Sequence, residues 1–227
     1  MIMKEAIEKL FENQLSNWEL AAKNYAALSQ VRTKAFDVGG CSYHVQFNPA
    51  RIASSAAKTD PKSIRERKCF LCSSNLPEEQ KGIPFKEHYL ILVNPFPIFP
   101  RHLTIPDTHH TDQRIYSRIE DMLDLAESLD NYIIFYNGPK CGASAPDHAH
   151  FQAGNKGFLP IEKEWKLKKT GKIIEDERAT LWSLNDAPRN TLVIEAEKKK
   201  DAIALFNRVY ASLDIQPDDD EPMMNLL

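Results

Sequence analysis

Three polar side chains alternate with apolar ones in the segment HAHFQ, namely His148, His150 and Gln152. Alternation with a period of two predicts a strand, on which these side chains share one face. The loop before this segment is rich in small residues, including Gly142 and Ser144. Such a loop exposes backbone N–H groups and can bind an anion. The pattern therefore predicts a phosphate site that contains an imidazole nucleophile. The alternative is that the two histidines share this spacing by chance.

Cys69 and Cys72 form a C-x-x-C pair, which in a chain without a secretory signal indicates a metal or redox site rather than a disulfide. Zinc usually takes four Cys and His ligands, so two histidines must complete the site. The candidates are His102, His109, His110 and His148. We favour a structural zinc on Cys69, Cys72, His102 and His148, with His109 as the substitute for His102. A metal-free cysteine pair is the alternative, and a thioredoxin-like role is disfavoured by the proline and polar loop residues around the motif.

The segment 48–58 is small and polar and carries two cations, Arg51 and Lys58, together with Ser54 and Ser55. It could bind a phosphate or a nucleotide. Composition alone favours an ordinary surface loop.

Composition narrows the classes of protein. The chain has 227 residues, of which 42% are hydrophobic, so it can bury a sizeable core in one large domain or two lobes. A net charge of −3 argues against a general nucleic-acid surface. No apolar run has the length of a membrane span, and residues 1–14 lack the apolar core of a signal peptide. We therefore expect a cytoplasmic protein that binds neither nucleic acid nor membrane.

Hydrophobic periodicity predicts an α+β fold, an antiparallel sheet with crossing helices. Helices are expected at 3–29, 114–129 and 198–213. Strands are expected at 31–38, 41–47, 89–93, 102–105, 132–136, 148–153, 180–184 and 191–197. The domains would be an N-terminal helix (1–29), a catalytic lobe with the zinc site (30–157) and a second lobe (158–227). Because the chain stops on an apolar run, we expect that second lobe to be incomplete.

The H-x-H-x-Q segment resembles the nucleotidyltransferase branch of the histidine-triad (HIT-like) superfamily. That branch includes galactose-1-phosphate uridylyltransferase, diadenosine tetraphosphate phosphorylase and the GDP-hexose phosphorylases. The likeness spans residues 48–165. It includes the loop from Asn137 to Ser144, Asn94 with the Pro-Phe-Pro that follows it, the segment from Arg101 to Pro106, and the cysteine pair.

The resemblance implies a HIT-like fold, in which His150 forms a covalent nucleotidyl intermediate. It implies that Gln152 hydrogen-bonds the transferring phosphate and that Ser144 and Asn137 contact the phosphate or the leaving group. The other substrate-binding candidates are Gly142, Arg51, Lys58 and Asn94. It also implies the zinc set given above, with the third ligand open between His102 and His109.

The expected substrate is a nucleoside diphosphate sugar or a dinucleoside polyphosphate, with phosphate or a sugar phosphate as acceptor. Hydrolytic members of the superfamily carry a third histidine where this chain has Gln152, which favours transfer over hydrolysis. The rival interpretations are a HIT-type hydrolase and a non-catalytic, zinc-stabilised nucleotide-binding module. A homodimer is expected by resemblance only.

Overall fold

Helices and strands are interspersed along the chain. The computed structural model describes residues 2–51, 58–185, 187 and 189–227. The helices are α1 (Ile2–Asn17), α2 (Glu19–Ala26), α3 (Pro61–Glu66), α4 (Ile119–Ser128), α5 (Ile161–Glu164) and α6 (Lys199–Ser212). The first strands are β1 (Arg32–Val38), β2 (Cys41–Phe47), β3 (Gly82–Phe85), β4 (Tyr89–Val93), β5 (His102–Pro106) and β6 (Tyr132–Asn137). The others are β7 (His150–Asn155), β8 (Lys169–Glu175), β9 (Ala179–Leu184), β10 (Leu192–Ala196) and β11 (Asn225–Leu226).

A six-stranded antiparallel sheet forms the centre of the fold, in the order β11-β6-β7-β5-β4-β3. Strand β7, which begins at His150 within the HAHFQ segment, lies between β5 and β6. Its Gln152 is opposite Thr104 of β5 and Phe135 of β6. The predicted α+β class with an antiparallel sheet is confirmed, and His150 and Gln152 lie on a central strand.

The two faces of this sheet have different environments. One face packs against α1, α4 and α6 and contributes to the main core Leu103, Ile105, Ile134, Phe151 and Ala153. Because successive side chains of a strand point to opposite faces, the residues between these point away from the helices. Those residues are His102, Thr104, His150 and Gln152. Apolar burial on one face therefore fixes the register that presents polar groups on the other.

Two predicted helices are shorter than expected. The helix expected at 3–29 divides at Trp18, whose backbone is extended (φ −125°, ψ 99°) while its indole is buried. The helix expected at 114–129 begins at Ile119, because Ser117 has a left-handed φ of 66° that interrupts the helical path. In both cases tertiary packing outweighs local periodicity.

Residues 158–227 contribute a separate three-stranded sheet, β10-β9-β8, and also parts of the main body. Phe206 and Tyr210 of α6 belong to the main core, and Leu226 of β11 pairs with Tyr136 of β6. The hairpin β1–β2 is a two-stranded sheet of its own.

In the part of the chain that the structure describes, no helix combines the length and the apolar character needed to cross a membrane.

We expect Gly154→Ala to lower the free energy of unfolding by about 1–3 kcal/mol, because overpacking costs that much in a filled core. A Cβ at Gly154 would lie 2.5 Å from Cγ of Phe99, whose ring is 3% exposed. Urea unfolding of both proteins measures the difference.

The matched control is Gly171→Ala in β8, where the added Cβ would lie 3.2 Å from the rotatable Ser183 hydroxyl. It should cost less than about 1 kcal/mol. Equal losses in the two variants would contradict the close packing of Phe99 on β7.

Candidate functional site

The segment 107–113 wraps around the chain just before β7. The N–H of Asp107 donates to the carbonyl of Ala149 (2.9 Å), and the N–H of Ala149 donates to the carbonyl of Thr111 (2.6 Å). Residue 149 is therefore bonded to this segment, and the strand begins at His150 instead of at His148 as the alternation predicted. His148 lies in the bend before the strand.

Gln113 fixes the backbone of His150 from both sides. Its side chain is 1% exposed, its Oε1 accepts the N–H of His150 (2.7 Å) and its Nε2 donates to the carbonyl of His150 (3.0 Å). The same Nε2 donates to the carbonyl of Asn137 at the end of β6 (3.0 Å). Gln113 carries no signal in the sequence, because an isolated glutamine belongs to no motif.

The imidazole of His150 has a defined proton position. Its Nδ1 lies 2.8 Å from the carbonyl oxygen of His148. A carbonyl oxygen only accepts, so Nδ1 carries the hydrogen and Nε2 keeps its lone pair. Burial lowers the pKa of His150 to about 4, which keeps the ring neutral at physiological pH. A buried, neutral imidazole with a free Nε2 lone pair is a competent nucleophile.

The side chain of Gln152 is hydrogen-bonded through its oxygen. Its Oε1 lies 3.1 Å from Nε2 of His102. This contact leaves the NH₂ group of the same amide free to donate elsewhere. Gln152 follows His150 by two positions, so the two side chains lie on the same face of β7.

Four side chains form a cluster that can hold a metal ion, Cys69, Cys72, His110 and His148, with ligand atoms within 4.8 Å of one another. Nδ1 of His148 lies 3.3 Å from Sγ of Cys69, and Nδ1 of His110 lies 3.2 Å from Sγ of Cys72. In a tetrahedral zinc site with ordinary bond lengths, sulfur and nitrogen ligands are about 3.6 Å apart. The spacing and the donor types therefore fit a four-coordinate metal.

The second nitrogen of each histidine in this cluster lies near an oxygen. Nε2 of His148 donates to the carbonyl of Asp107 (2.7 Å), and Nε2 of His110 lies 3.8 Å from the carboxylate of Asp147. Asp147 also accepts from Arg67 (2.6 Å). Hydrogen bonds to the second ring nitrogen fix the tautomer and the ring orientation in which Nδ1 can bind a metal. Burial opposes ionisation of Cys69, but the contact with His148 and two backbone N–H groups lower its pKa to about 6.

The structure places His110, and not the predicted ligand His102, beside Cys69, Cys72 and His148. His102 is buried in β5, and both of its ring nitrogens are occupied. Nδ1 accepts the N–H of Ile98 (3.2 Å) and Nε2 contacts Gln152. The substitute ligand His109 is also absent from the cluster; it is exposed and its N–H donates to Asp107 (2.9 Å).

Two of the predicted substrate residues have protein partners. The Asn94 amide donates to Thr104 (2.8 Å) and accepts the N–H of Phe96 (2.8 Å), so it shapes the proline-rich turn before β5. Nε of Arg51 donates to the carbonyl of Phe96 (3.0 Å), and the charge of Arg51 is close enough to lower the pKa of His102. Arg51 thus lies on the same side of the sheet as Gln152.

The other predicted residues lie in two loops. Ser144 is half-buried and Gly142 is exposed with a φ of 104°, both in the loop between β6 and β7. Asn137 ends β6 and contributes its carbonyl to Gln113. Lys58 is exposed, and its neighbours Ser54 and Ser55 lie outside the described residues.

Comparison with known proteins gives one family match. The model of a domain of unknown function, DUF4922, matches residues 10–155. No match is found among curated proteins.

Three solved structures of yeast Ap4A phosphorylase Apa2 are similar to the chain. The complex with Ap4A has 20% identity and a TM-score of 0.47, covering 86% of this chain and 73% of that one. A second structure of the same enzyme has 16% identity and a TM-score of 0.48, covering 92% of this chain and 76% of that one. The complex with AMP has 17% identity and a TM-score of 0.44, covering 87% and 69%. At these values the likeness assigns no activity to this chain.

We expect His110→Ala to weaken Zn²⁺ binding at least about tenfold, since even the loss of a hydrogen bond that only orients a metal ligand costs that much. His109→Ala should leave the affinity unchanged, because the side chain of His109 is exposed and lies outside the cluster. Competition with a chromophoric chelator measures both affinities. A larger loss in His109→Ala than in His110→Ala would contradict the assignment.

Proposed function

The chain belongs to the DUF4922 family, and we propose that it is a nucleotidyltransferase of the phosphorylase type that reacts through a covalent intermediate on His150. The observation that carries this proposal is the hydrogen bond from Nδ1 of His150 to the carbonyl of His148 (2.8 Å). It leaves a neutral Nε2 available for attack on phosphorus. The donor class is a nucleoside diphosphate sugar or a dinucleoside polyphosphate, which the resemblance of the H-x-H-x-Q segment implies.

In the first step the lone pair of Nε2 attacks the phosphorus next to the nucleoside. A P–N bond forms, and the P–O bond to the leaving sugar phosphate or nucleoside polyphosphate breaks, with its electron pair on the departing oxygen. The imidazole becomes cationic, and its Nδ1–H already donates to the carbonyl of His148. That contact stabilises the positive charge where it develops.

In the second step an oxygen of phosphate or of a sugar phosphate attacks the same phosphorus. The P–N bond breaks, and its electron pair returns to Nε2. Two in-line displacements, each with inversion, give net retention at phosphorus. The division of one difficult transfer into two easier ones is the usual advantage of covalent catalysis.

The transferring phosphoryl group needs hydrogen-bond donors for its oxygens. The NH₂ group of Gln152 is one candidate, because the oxygen of the same amide is already bound to His102. Backbone N–H groups of the loop at Gly142 and Ser144 are others, as is the guanidinium of Arg51. Gln152 stands where the hydrolytic members of the superfamily carry a third histidine, and this resemblance favours transfer over hydrolysis.

We propose zinc for the cluster of Cys69, Cys72, His110 and His148, because two thiolates and two imidazoles are donors that zinc prefers. When bound, it has a structural role. His148 would be held by its ring, and its carbonyl would hold the imidazole of His150. The cluster therefore supports the nucleophile without taking part in the chemical steps.

We expect the protein to gain the mass of one nucleoside monophosphate when it is mixed with a suitable donor and no acceptor. Intact mass spectrometry at mildly alkaline pH measures the gain, with a panel of nucleotide sugars and dinucleoside polyphosphates as donors. The increase should disappear in His150→Ala, which should still bind zinc, and persist in His44→Ala, where an exposed histidine of β2 is removed.

Three outcomes discriminate the rival functions. Release of the nucleotide from the adduct only on addition of phosphate or a sugar phosphate supports transfer. Rapid release in buffer alone supports a hydrolase. If zinc-loaded wild-type protein forms no adduct with any donor and turns none over, the site is a binding module and the proposal is wrong.

A further inference from the structure

His102 is a buried polar residue that the metal cluster does not use. It lies on the same side of the sheet as His150 and Gln152, with 1% of its surface exposed. Its ring lies edge-on to Phe99, with centroids 5.4 Å apart, and is stacked on Phe135 at 6.0 Å. Two aromatic neighbours limit rotation of the imidazole. A buried histidine in such a position must have both nitrogens satisfied.

The partners of His102 determine its tautomer. The N–H of Ile98 can only donate, so Nδ1 of His102 must be the acceptor of that 3.2 Å contact. The hydrogen is then on Nε2, which must donate to an oxygen. The atom 3.1 Å away is Oε1 of Gln152. The N–H of Ile98 therefore determines the tautomer of His102. That tautomer in turn requires the oxygen of the Gln152 amide, and not its NH₂ group, to contact the ring.

The protonation state supports the same orientation. Burial and the nearby charge of Arg51 lower the pKa of His102 to about 3, so the ring is neutral at physiological pH. A protonated ring would place an N–H against the N–H of Ile98. A neutral His102 with its hydrogen on Nε2 satisfies both contacts at once.

We propose that His102 is a positioning residue, which orients the carboxamide of Gln152 so that its NH₂ group faces the phosphoryl group transferred by His150. This inference rests on the proposed function of His150. Without His102 the amide can rotate by half a turn and present its oxygen to the phosphoryl oxygens. The contact is then repulsive instead of attractive, and a preorganised donor is lost.

The test is the rate of His150 nucleotidylation in a single turnover, measured by mass spectrometry with the donor that modifies the wild-type protein. His102→Phe keeps an aromatic ring but removes the donor, and should slow the reaction about 10- to 100-fold, since loss of one preorganised donor costs about that much or more. His102→Gln restores an N–H near the position of Nε2 and should recover most of the rate. Both variants should bind Zn²⁺ as the wild type does, because His102 is not part of the cluster.

A double-mutant cycle separates positioning from a general structural effect. Gln152→Ala should slow the reaction about as much as His102→Phe does. In the Gln152→Ala background, the His102→Phe change should cost less than about threefold, because there is no amide left to orient. Fully multiplicative losses would overturn the proposal, and so would a wild-type rate in His102→Phe.

The failure of this inference is distinct from failure of the proposed function. If the wild-type protein forms an adduct on His150 but the cycle shows no coupling, only the role of His102 is wrong. If the wild-type protein forms no adduct, the proposed chemistry is wrong and the role of His102 in it is overturned as well.

Discussion

One backbone carbonyl, that of His148, connects the cluster of Cys69, Cys72, His110 and His148 to the candidate nucleophile. The ring of His148 is fixed by Cys69 on one side and by the carbonyl of Asp107 on the other. Its own carbonyl accepts the Nδ1 hydrogen of His150. The position of His150 thus depends on the folding of the segment 107–113, and Gln113 from the same segment holds its backbone. Loss of the contact with the His148 carbonyl would leave the imidazole buried without a defined tautomer.

Apolar burial in the central sheet offsets the cost of burying these polar groups. Its helix-facing side is filled by aliphatic and aromatic side chains of β4, β5, β6 and β7. The opposite side buries His102 and His150, whose desolvation is tolerated because their hydrogen-bonding atoms have partners or face the proposed substrate. Burial also keeps both rings neutral. The same low-polarity environment strengthens any hydrogen bond made to a phosphoryl oxygen there.

The sequence predicted those parts of the molecule that depend on local pattern. Strands β4, β5 and β6 follow from short apolar runs and agree with the structure within a residue at each end. The C-x-x-C pair and His148 were assigned to a metal site from residue type, and the structure brings them together. The H-x-H-x-Q alternation was correct for His150 and Gln152, which share a face of β7.

Long-range geometry was not predictable in the same way. Four histidines were candidate ligands, and their sequence positions do not show which ring meets the thiols. His110 does so because the segment 107–113 folds back over β7, whereas β5 carries His102 to the side of the sheet that has Gln152. Gln113 has no motif, so only its contacts reveal its role. The first helix breaks at the extended backbone of Trp18, which periodicity does not register because the apolar spacing continues through this residue.

The tautomer of His150 tests the central claim most directly. Long-range ¹H–¹⁵N correlation spectra of the zinc-loaded protein, assigned by comparison with His150→Ala, report which ring nitrogen carries the hydrogen. The structure predicts a hydrogen on Nδ1 and an unprotonated Nε2 at neutral pH. An Nε2–H tautomer, or an imidazolium with both nitrogens protonated, would leave no lone pair for attack and would contradict the account.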